Sequence, residues 1–544
     1  MRKFINLVKN EYIKSLSRLS TIIMLLLLVV ATVGYVLFVK VQAEAKNQYM
    51  DYDSHDMSEH YQFRADELKV STSVLDRFSR DKYQLMADIA MDGDDWREEK
   101  IDTLYDTIKD SVDLSAYNEL IAEITAQVDA QYADKKDYDY FEYENTINAE
   151  IDKRAEELNK LRDEAYMKVY NDFYASEENK KLIEIFKKND YIAYYNFMLD
   201  KSKKELASGK TTQKKYEANE WFYTTLIDGN IKPVSDSKIY RYMKYDLYIG
   251  SSDSSKYLNT YKLYNAKMII AKFENNEVVN NIEYNEAVES LILYQYMVDN
   301  DISYNIAEHE TTAISTLSDS HDDYIHRDFW SAMCESQSLV MLIAFICVIL
   351  AATSVAAEYS NGTIKFLLIN PRTRSKIIFS KYAFVLSAAF VMMVIVFIVS
   401  FITSLCCFGG SELGAGHYQV VGGEVVSTNG ILYVAKEYLL TSISVLAIAT
   451  IAFTISTLMK SSALAIGASI IMLISGTTVV LSLKEGFGYD WSRYLLFANI
   501  NIKPIIQGTS GYANITVGFS VLNLIIHLAV LLLIAHDAFT KREV

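Results

Sequence analysis

Side chains able to do chemistry are sparse in this chain, and the few that cluster lack a catalytic arrangement. His55, Asp56 and His60 share one short segment, and His321, Asp322, Asp323 and His326 form a second polar set. Imidazole and carboxylate groups are metal ligands, but neither set has helix-framed HExxH spacing or a Cys partner. Both read as solvated surface, and no metal site is expected. The chain has neither a serine nucleophile elbow nor a glycine-rich phosphate cradle followed by Lys and Ser or Thr. No residue is therefore expected to be catalytic, and the chain is not expected to hold ATP itself. Hydroxyls recur in the apolar runs, among them Thr450 and Thr454, and Asn523 and His527 stand four apart on one helical face. Such groups most often bond helices to one another; these four are the candidates for lining a substrate path.

One polar segment carries more information. After a long apolar run come Glu358, then Asn361, Gly362 and Thr363, then the apolar Ile364, Phe366, Leu367 and Leu368, then Pro371 and the basic Arg372, Arg374 and Lys376. Asn and Gly tolerate left-handed backbone angles and supply a turn. Residues 363 to 369 suit two short helical turns, which Pro371 ends because the residue before proline disfavours helix. The expected element is a short helix lying flat at a membrane surface, with Glu358 reaching interfacial water. That element could transmit force from a partner below it. The basic residues alone would equally suit phospholipid, at ~1 kcal/mol per charge on an anionic surface.

The order of elements over about 356 to 382 resembles the loop after the second span of ABC-2 type ABC-transporter permeases, roughly E-x-x-x-G-T-hydrophobic, then Pro, then an Arg-Ser-Lys-like segment. The N-terminal layout is similar to their amphipathic elbow. The resemblance implies a coupling role for Glu358, Asn361, Gly362, Thr363, Ile364, Phe366, Leu367, Arg372 and Arg374. It implies ABC ATPase subunits as partners, carrying ATP and Mg on a separate chain, and a second permease subunit, the same or related, to complete the transporter. It also implies export from the plasma membrane of a bacterium.

The elements that must position this loop are read from hydropathy. Six stretches approach the ~20 apolar residues needed to cross a bilayer: Thr21 to Val39, Ser338 to Ala357, Ala383 to Leu405, Leu439 to Leu458, Ala463 to Leu483 and Val517 to Ala535. Backbone polar groups in hydrocarbon must be satisfied internally, so these are helices. Ala43-Glu44-Ala45 imitates a cleavage site, but the preceding apolar run is longer than a signal core, so an uncleaved anchor is expected. None of the six runs holds a deep Asp, Glu, Lys or Arg, which disfavours an ion-coupled carrier. Arg2, Lys3, Lys9, Lys14 and Arg18 precede the first run, Lys365, Arg372, Arg374, Lys376 and Lys381 follow the second, and Lys541 with Arg542 follow the last. By the positive-inside rule these flanks are cytoplasmic and residues 41 to 337 lie outside.

That insert is acidic. Residues 41 to 330 hold 59 Asp or Glu against 35 Lys or Arg, a net of −24, while the rest of the chain is +8. The excess could keep a domain soluble, repel anionic surfaces or attract cationic ligands. With about 290 residues, one proline and heptad-like rows such as Ile147, Ile151, Leu158, Leu161, Ala165 and Val169, it is expected to be a helical domain with its own core. The Tyr-rich run from Ile239 to Ile249 could instead be strand. The insert contains 30 of the 40 tyrosines, whose amphipathic rings suit partly wet helix packing or the holding of peptides or sugars. The four cysteines lie in or beside the spans, where Cys334 could reach Cys406 or Cys407.

The sequence thus describes an all-α polytopic membrane protein: a cytoplasmic amphipathic elbow helix (1–20), transmembrane helix 1 (21–40), an acidic, mainly helical extracellular domain (41–337), and a five-helix transmembrane domain (338–544) with a coupling hairpin at 358–382. The favoured function is a permease subunit moving an amphipathic peptide, drug or lipid-like substrate, with membrane lipids around it and no nucleic-acid partner. The alternative is a non-transporting surface protein, a receptor, sensor or phage-infection-protein-like factor, of the same one-plus-five layout.

Overall fold

A computed structural model describes the chain except for residues 1, 55–56, 72, 92–94, 134–139, 237–238, 241–251, 278, 307–327, 365–372, 411–412, 460, 507–511, 513–514 and 542–544. The described chain is mostly helical. α1 (Arg2–Leu16) is followed by α2 (Leu19–Ser54), and α3 (Met57–Glu67), α4 (Val74–Asp88), α5 (Glu98–Asp110), α6 (Ser115–Tyr132), α7 (Tyr140–Lys153), α8 (Ala155–Ala175), α9 (Glu177–Lys188), α10 (Tyr191–Ala207), α11 (Gln213–Asp228), α12 (Ser252–Glu274) and α13 (Asn281–Asp299) build the inserted domain. α14 (Phe329–Glu335) runs through a 3-10 turn into α15 (Val340–Ser360), and then come α16 (Arg374–Phe408), α17 (Gly430–Leu458), α18 (Ser462–Glu485) and α19 (Val517–Thr540).

Caps set many of these boundaries. Side chains of Ser176, Asp190, Thr212 and Asn280 accept from the backbone N–H groups that open α9, α10, α11 and α13. Asn189 closes α9 in the left-handed conformation. A reciprocal capping box between Asp328 and Ser331 starts α14. Its Asp328 also accepts from the Tyr304 hydroxyl at 2.5 Å, which fixes the entry into the second spanning helix.

Six helices are long and apolar enough to cross a membrane: Leu19–Gln42, Phe329–Ser360, Arg374–Phe408, Gly430–Leu458, Ser462–Glu485 and Val517–Thr540. They coincide with the six apolar runs. Their outward faces carry exposed apolar rows, such as Leu26, Leu27 and Val30 on α2 and Phe390, Val394, Ile398 and Ile402 on α16, as lipid-facing surfaces require. Small and apolar residues of α15, α16 and α17 make the bundle core, including Val348, Ala351, Val385, Val396, Ala449 and Phe453. The chain is a multi-pass membrane protein.

The spanning helices outrun their apolar stretches and so carry charges that the apolar runs do not. α15 ends three residues later than the apolar run and α16 begins nine residues earlier, so Glu358 and Lys381 fall inside the protein, at 4% and 0% exposure. Glu437 on α17 is buried as well. α2 continues without interruption through Ala43-Glu44-Ala45. The cysteines stand as thiols.

The all-helical expectation needs one amendment. β1 (Gly416–Val421) and β2 (Glu424–Asn429) form an antiparallel hairpin between α16 and α17, paired from Gly416 with Asn429 to Val421 with Glu424. Gly422 and Gly423 make its two-residue turn with φ of 62° and 88°, the geometry of a type I′ turn. The hairpin ties the inserted domain to the bundle. Asn305 exchanges hydrogen bonds with the backbone of Tyr418 at 2.8 and 2.9 Å, the Ile306 N–H donates to the Gly416 carbonyl at 3.0 Å, and His417 Nδ1 meets the Ile306 carbonyl at 2.6 Å. Of the Tyr-rich run that could have been strand, Ile239 and Tyr240 are helical, and 241–249 lie outside the described residues.

The inserted domain has its own core, centred on Phe78, Met86, Trp96, Ile101, Phe186, Tyr195, Phe222 and Leu226. A smaller cluster of Leu120, Ile124 and Leu158 joins α6 to α8. Of the expected row, Leu158 is buried, and Ile151 and Leu161 pack beside it.

Candidate coupling site

The turn after α15 is held from three sides. Asn361 and Gly362 donate backbone hydrogen bonds to the Ala357 and Tyr359 carbonyls at 3.0 and 3.2 Å. Gly362 takes a φ of 70°, the left-handed region that favours glycine. Thr363 then turns its hydroxyl back onto the Glu358 carboxylate, and Ile364 buries its side chain in the bundle core. Residues 360 to 363 remain on the surface.

Glu358 is the hub. One of its oxygens accepts from Thr363, and the other accepts from Lys14 on α1 and from Lys381 on α16, the latter at 3.2 Å. Lys381 also pairs with Glu11 on α1 at 2.9 Å. Two carboxylates and two ammonium groups therefore neutralise one another where three helices meet. Such charges survive burial only with a matched partner. Glu358 does not reach interfacial water as its position in the sequence suggests, because α1 covers it.

The amphipathic pattern of α1 serves this docking. Val8 and Tyr12 pack on the bundle core, the Tyr12 ring meets Phe384 edge-on at 4.8 Å, and its hydroxyl donates to Ser387 at 2.8 Å. Ile5, Ile13 and Leu16 of α1, and Leu19 at the start of α2, are exposed. These suit the interface plane of a bilayer. α1 thus has one apolar strip on protein and another on lipid.

Two further ties stiffen this end. Ser456 of α17 donates to the Ala352 carbonyl at 2.7 Å and accepts from the N–H of Ala356 at 3.0 Å, a side chain inserted into the hydrogen-bond ladder of α15. Arg374 opens α16 by donating to the Thr540 carbonyl at the end of α19, 2.9 Å away. Its neighbour Ser375 contacts His536 Nε2 at 2.8 Å. The expected residues Glu358, Asn361, Gly362, Thr363 and Ile364 lie together, and Arg374 sits apart on the α19 contact. Phe366, Leu367 and Arg372 lie outside the described residues.

Thr450, Thr454, Asn523 and His527 are engaged within the bundle. Thr450 meets the Tyr382 hydroxyl at 2.9 Å, Thr454 donates to the Leu531 carbonyl at 3.2 Å, Asn523 donates to the Tyr494 carbonyl at 3.1 Å, and His527 Nδ1 lies 2.9 Å from the Asn523 carbonyl. They act as ties between and within helices. Sequence reasoning missed Lys14 and Lys381 as partners of Glu358, and Glu11 as the second partner of Lys381. The signal was the residual charge of each apolar boundary, Glu before one loop and Lys after it.

Residues 320–544, the five later spanning helices and the segments between them, match a family model described as "Protein of unknown function (DUF2705)". The chain is 28% identical over 218 residues to "Uncharacterized membrane protein YdbK" of Bacillus subtilis (strain 168), covering 40% of this chain and 84% of that protein. It is 37% identical over 217 residues to "Uncharacterized protein YhcI" of the same organism, covering 40% of this chain and 69% of that protein. With more than two thirds of YhcI matched at this identity, the chain belongs to the same family of proteins as YhcI.

Proposed function

We propose that the chain is the permease subunit of an ATP-driven exporter of the ABC-2 type. The end bearing α1 faces the cytoplasm, the inserted domain lies outside the cell, and a separate ATPase chain, holding ATP and Mg, engages the turn after α15. The observation that carries the reading is the Glu358 hub. A displacement applied to the exposed turn at 360–363 passes through one buried carboxylate to α1, α15 and α16 together. Packed interiors shift between discrete arrangements rather than deforming smoothly, so a pull on the hub is expected to move these helices as a set.

Six spans leave room for a second permease, a copy of this chain or a related one, to complete a pathway. Thr450 and Thr454 of α17 and Asn523 and His527 of α19 serve as helix ties in this scheme rather than as its lining. The cargo in this reading is an amphipathic peptide, drug or lipid-like molecule.

The test is isolation of the tagged full chain from its own membrane, with identification of what accompanies it. A nucleotide hydrolase should copurify, and Asn361→Trp on the exposed turn should remove it while leaving thermal stability unchanged. Isolation without a hydrolase, or equal recovery with the variant, would overturn the reading and leave the chain as a non-transporting surface protein.

A further inference from the structure

The inserted domain holds a cavity of about 570 Å³ between α5, α10, α11, α12 and the segment around Asp236. We propose that this cavity binds a cationic amphiphile, a quaternary or protonated amine, or its phosphonium equivalent, carried on an apolar body. The inference concerns binding to the domain and holds whether or not the chain exports anything.

Aromatic rings make the walls. Tyr257, Tyr261 and Tyr264 recur at four- and three-residue steps on α12, hence on one face. Phe222 of α11 stacks on Tyr264 at 4.4 Å and meets Tyr257 and Tyr261 edge-on at 6.2 and 6.1 Å. Tyr223 lies 6.1 Å from Tyr195 of α10 on the other side. Two phenol tips are engaged in the frame: Tyr195 donates to the Ile231 carbonyl at 3.0 Å and Tyr264 to the Asn219 side chain at 2.7 Å. Burial drives these phenols above their usual range, Tyr264 to about 12, so they stay neutral and offer the negative faces of their rings. Ring faces attract cations.

Charge points the same way. Glu99, Asp236 and Lys100 belong to the lining, and the Lys100 ammonium is tied to Asp236 at 2.5 Å. One carboxylate of the lining thus has a cation partner and a second acid stands beside it. The whole insert carries a net of −24 over residues 41 to 330, a field that gathers cations. An anionic or strongly hydrated ligand meets neither the walls nor the field.

The probe pair is tetraphenylphosphonium and tetraphenylborate, alike in shape and opposite in charge, tested on the full chain in lipid nanodiscs by equilibrium dialysis, with empty nanodiscs subtracted. Saturable binding of one phosphonium per chain is expected, with none of the borate. Glu99→Gln with Asp236→Asn should weaken it roughly tenfold, the scale of losing one nearby charge at intermediate dielectric. Tyr261→Leu should also weaken it, and Tyr261→Phe, which keeps the ring, should not. Thermal unfolding of each variant separates lost binding from lost fold. Equal binding of the borate, or variants that unfold normally and bind as the parent does, would overturn the proposal.

Discussion

At the base of the bundle and in the inserted domain, acids and a lysine meet beside aromatic rings, yet the two places differ in closure. Lys381 is fully covered, both of its carboxylate partners are in contact, and the count of charges is even. Around Asp236 the lysine satisfies one acid, Glu99 is exposed, and a wall of rings opens beside them. A closed, matched cluster holds helices together, whereas an open cluster with an excess acid has something left to offer a ligand. The two regions therefore respond in opposite ways to the same substitution.

The largest effect belongs to the base. Glu358→Ala leaves Lys381 buried with Glu11 alone, and Lys381→Ala leaves two carboxylates crowded; breaking a buried pair costs about 3–5 kcal/mol. A large fall in thermal stability in detergent is expected for either. The double change Glu358→Leu with Lys381→Met should recover most of it, because apolar groups of similar volume need no partner. Glu99→Gln in the inserted domain should leave the same measurement almost unmoved. If the two sites fell equally, closure would not be what distinguishes them.

A middle case lies between the regions. Gly430, the first residue of α17, has no room for a side chain: an added Cβ would stand 2.5 Å from Ile306 Cδ1 and 2.7 Å from the Trp330 ring. Ile306 belongs to the strand-like segment that pairs with β1, and Trp330 to α14, so this glycine is where domain and bundle meet. Gly430→Ala should destabilise by about 1–3 kcal/mol, the usual range for overpacking. Limited proteolysis should show the inserted domain loosened from the bundle first.

Much of this was legible in the chain. Apolar runs marked all six spans because a bilayer fixes their length, and the Ser-Asn-Gly-Thr turn announced itself by residue type. Boundaries were misplaced for a physical reason: Glu358 and Lys381 look like the polar ends of spans until their mutual neutralisation is visible, and that pairing joins residues 23 apart with others more than 340 apart. The β hairpin did carry a local signal, alternating residues around Gly422-Gly423, masked by its place between two long apolar runs. The tyrosine wealth of the insert was evident. The cavity was not, since its walls come from four helices brought together by a core that composition alone does not order.

The smallest effect expected is a pH dependence confined to the open site. Burial, and then its contact with Asp236, raise the Glu99 carboxyl to about 7, while Lys100 opposes and Glu98 adds to the rise. The sign follows from which form a cation prefers. Below pH 7 Glu99 is protonated and neutral, and as pH rises through 7 it ionises and adds a negative charge beside the rings. Phosphonium affinity should therefore climb about two- to fivefold between pH 6 and pH 8, less than the tenfold assigned to losing both acids because Lys100 and solvent screen the new charge. Glu99→Gln should flatten the profile. The ring tyrosines add no slope in this interval, since their phenols titrate far above it. A profile that kept its slope in the glutamine variant would move the titrating group elsewhere and remove Glu99 from the site.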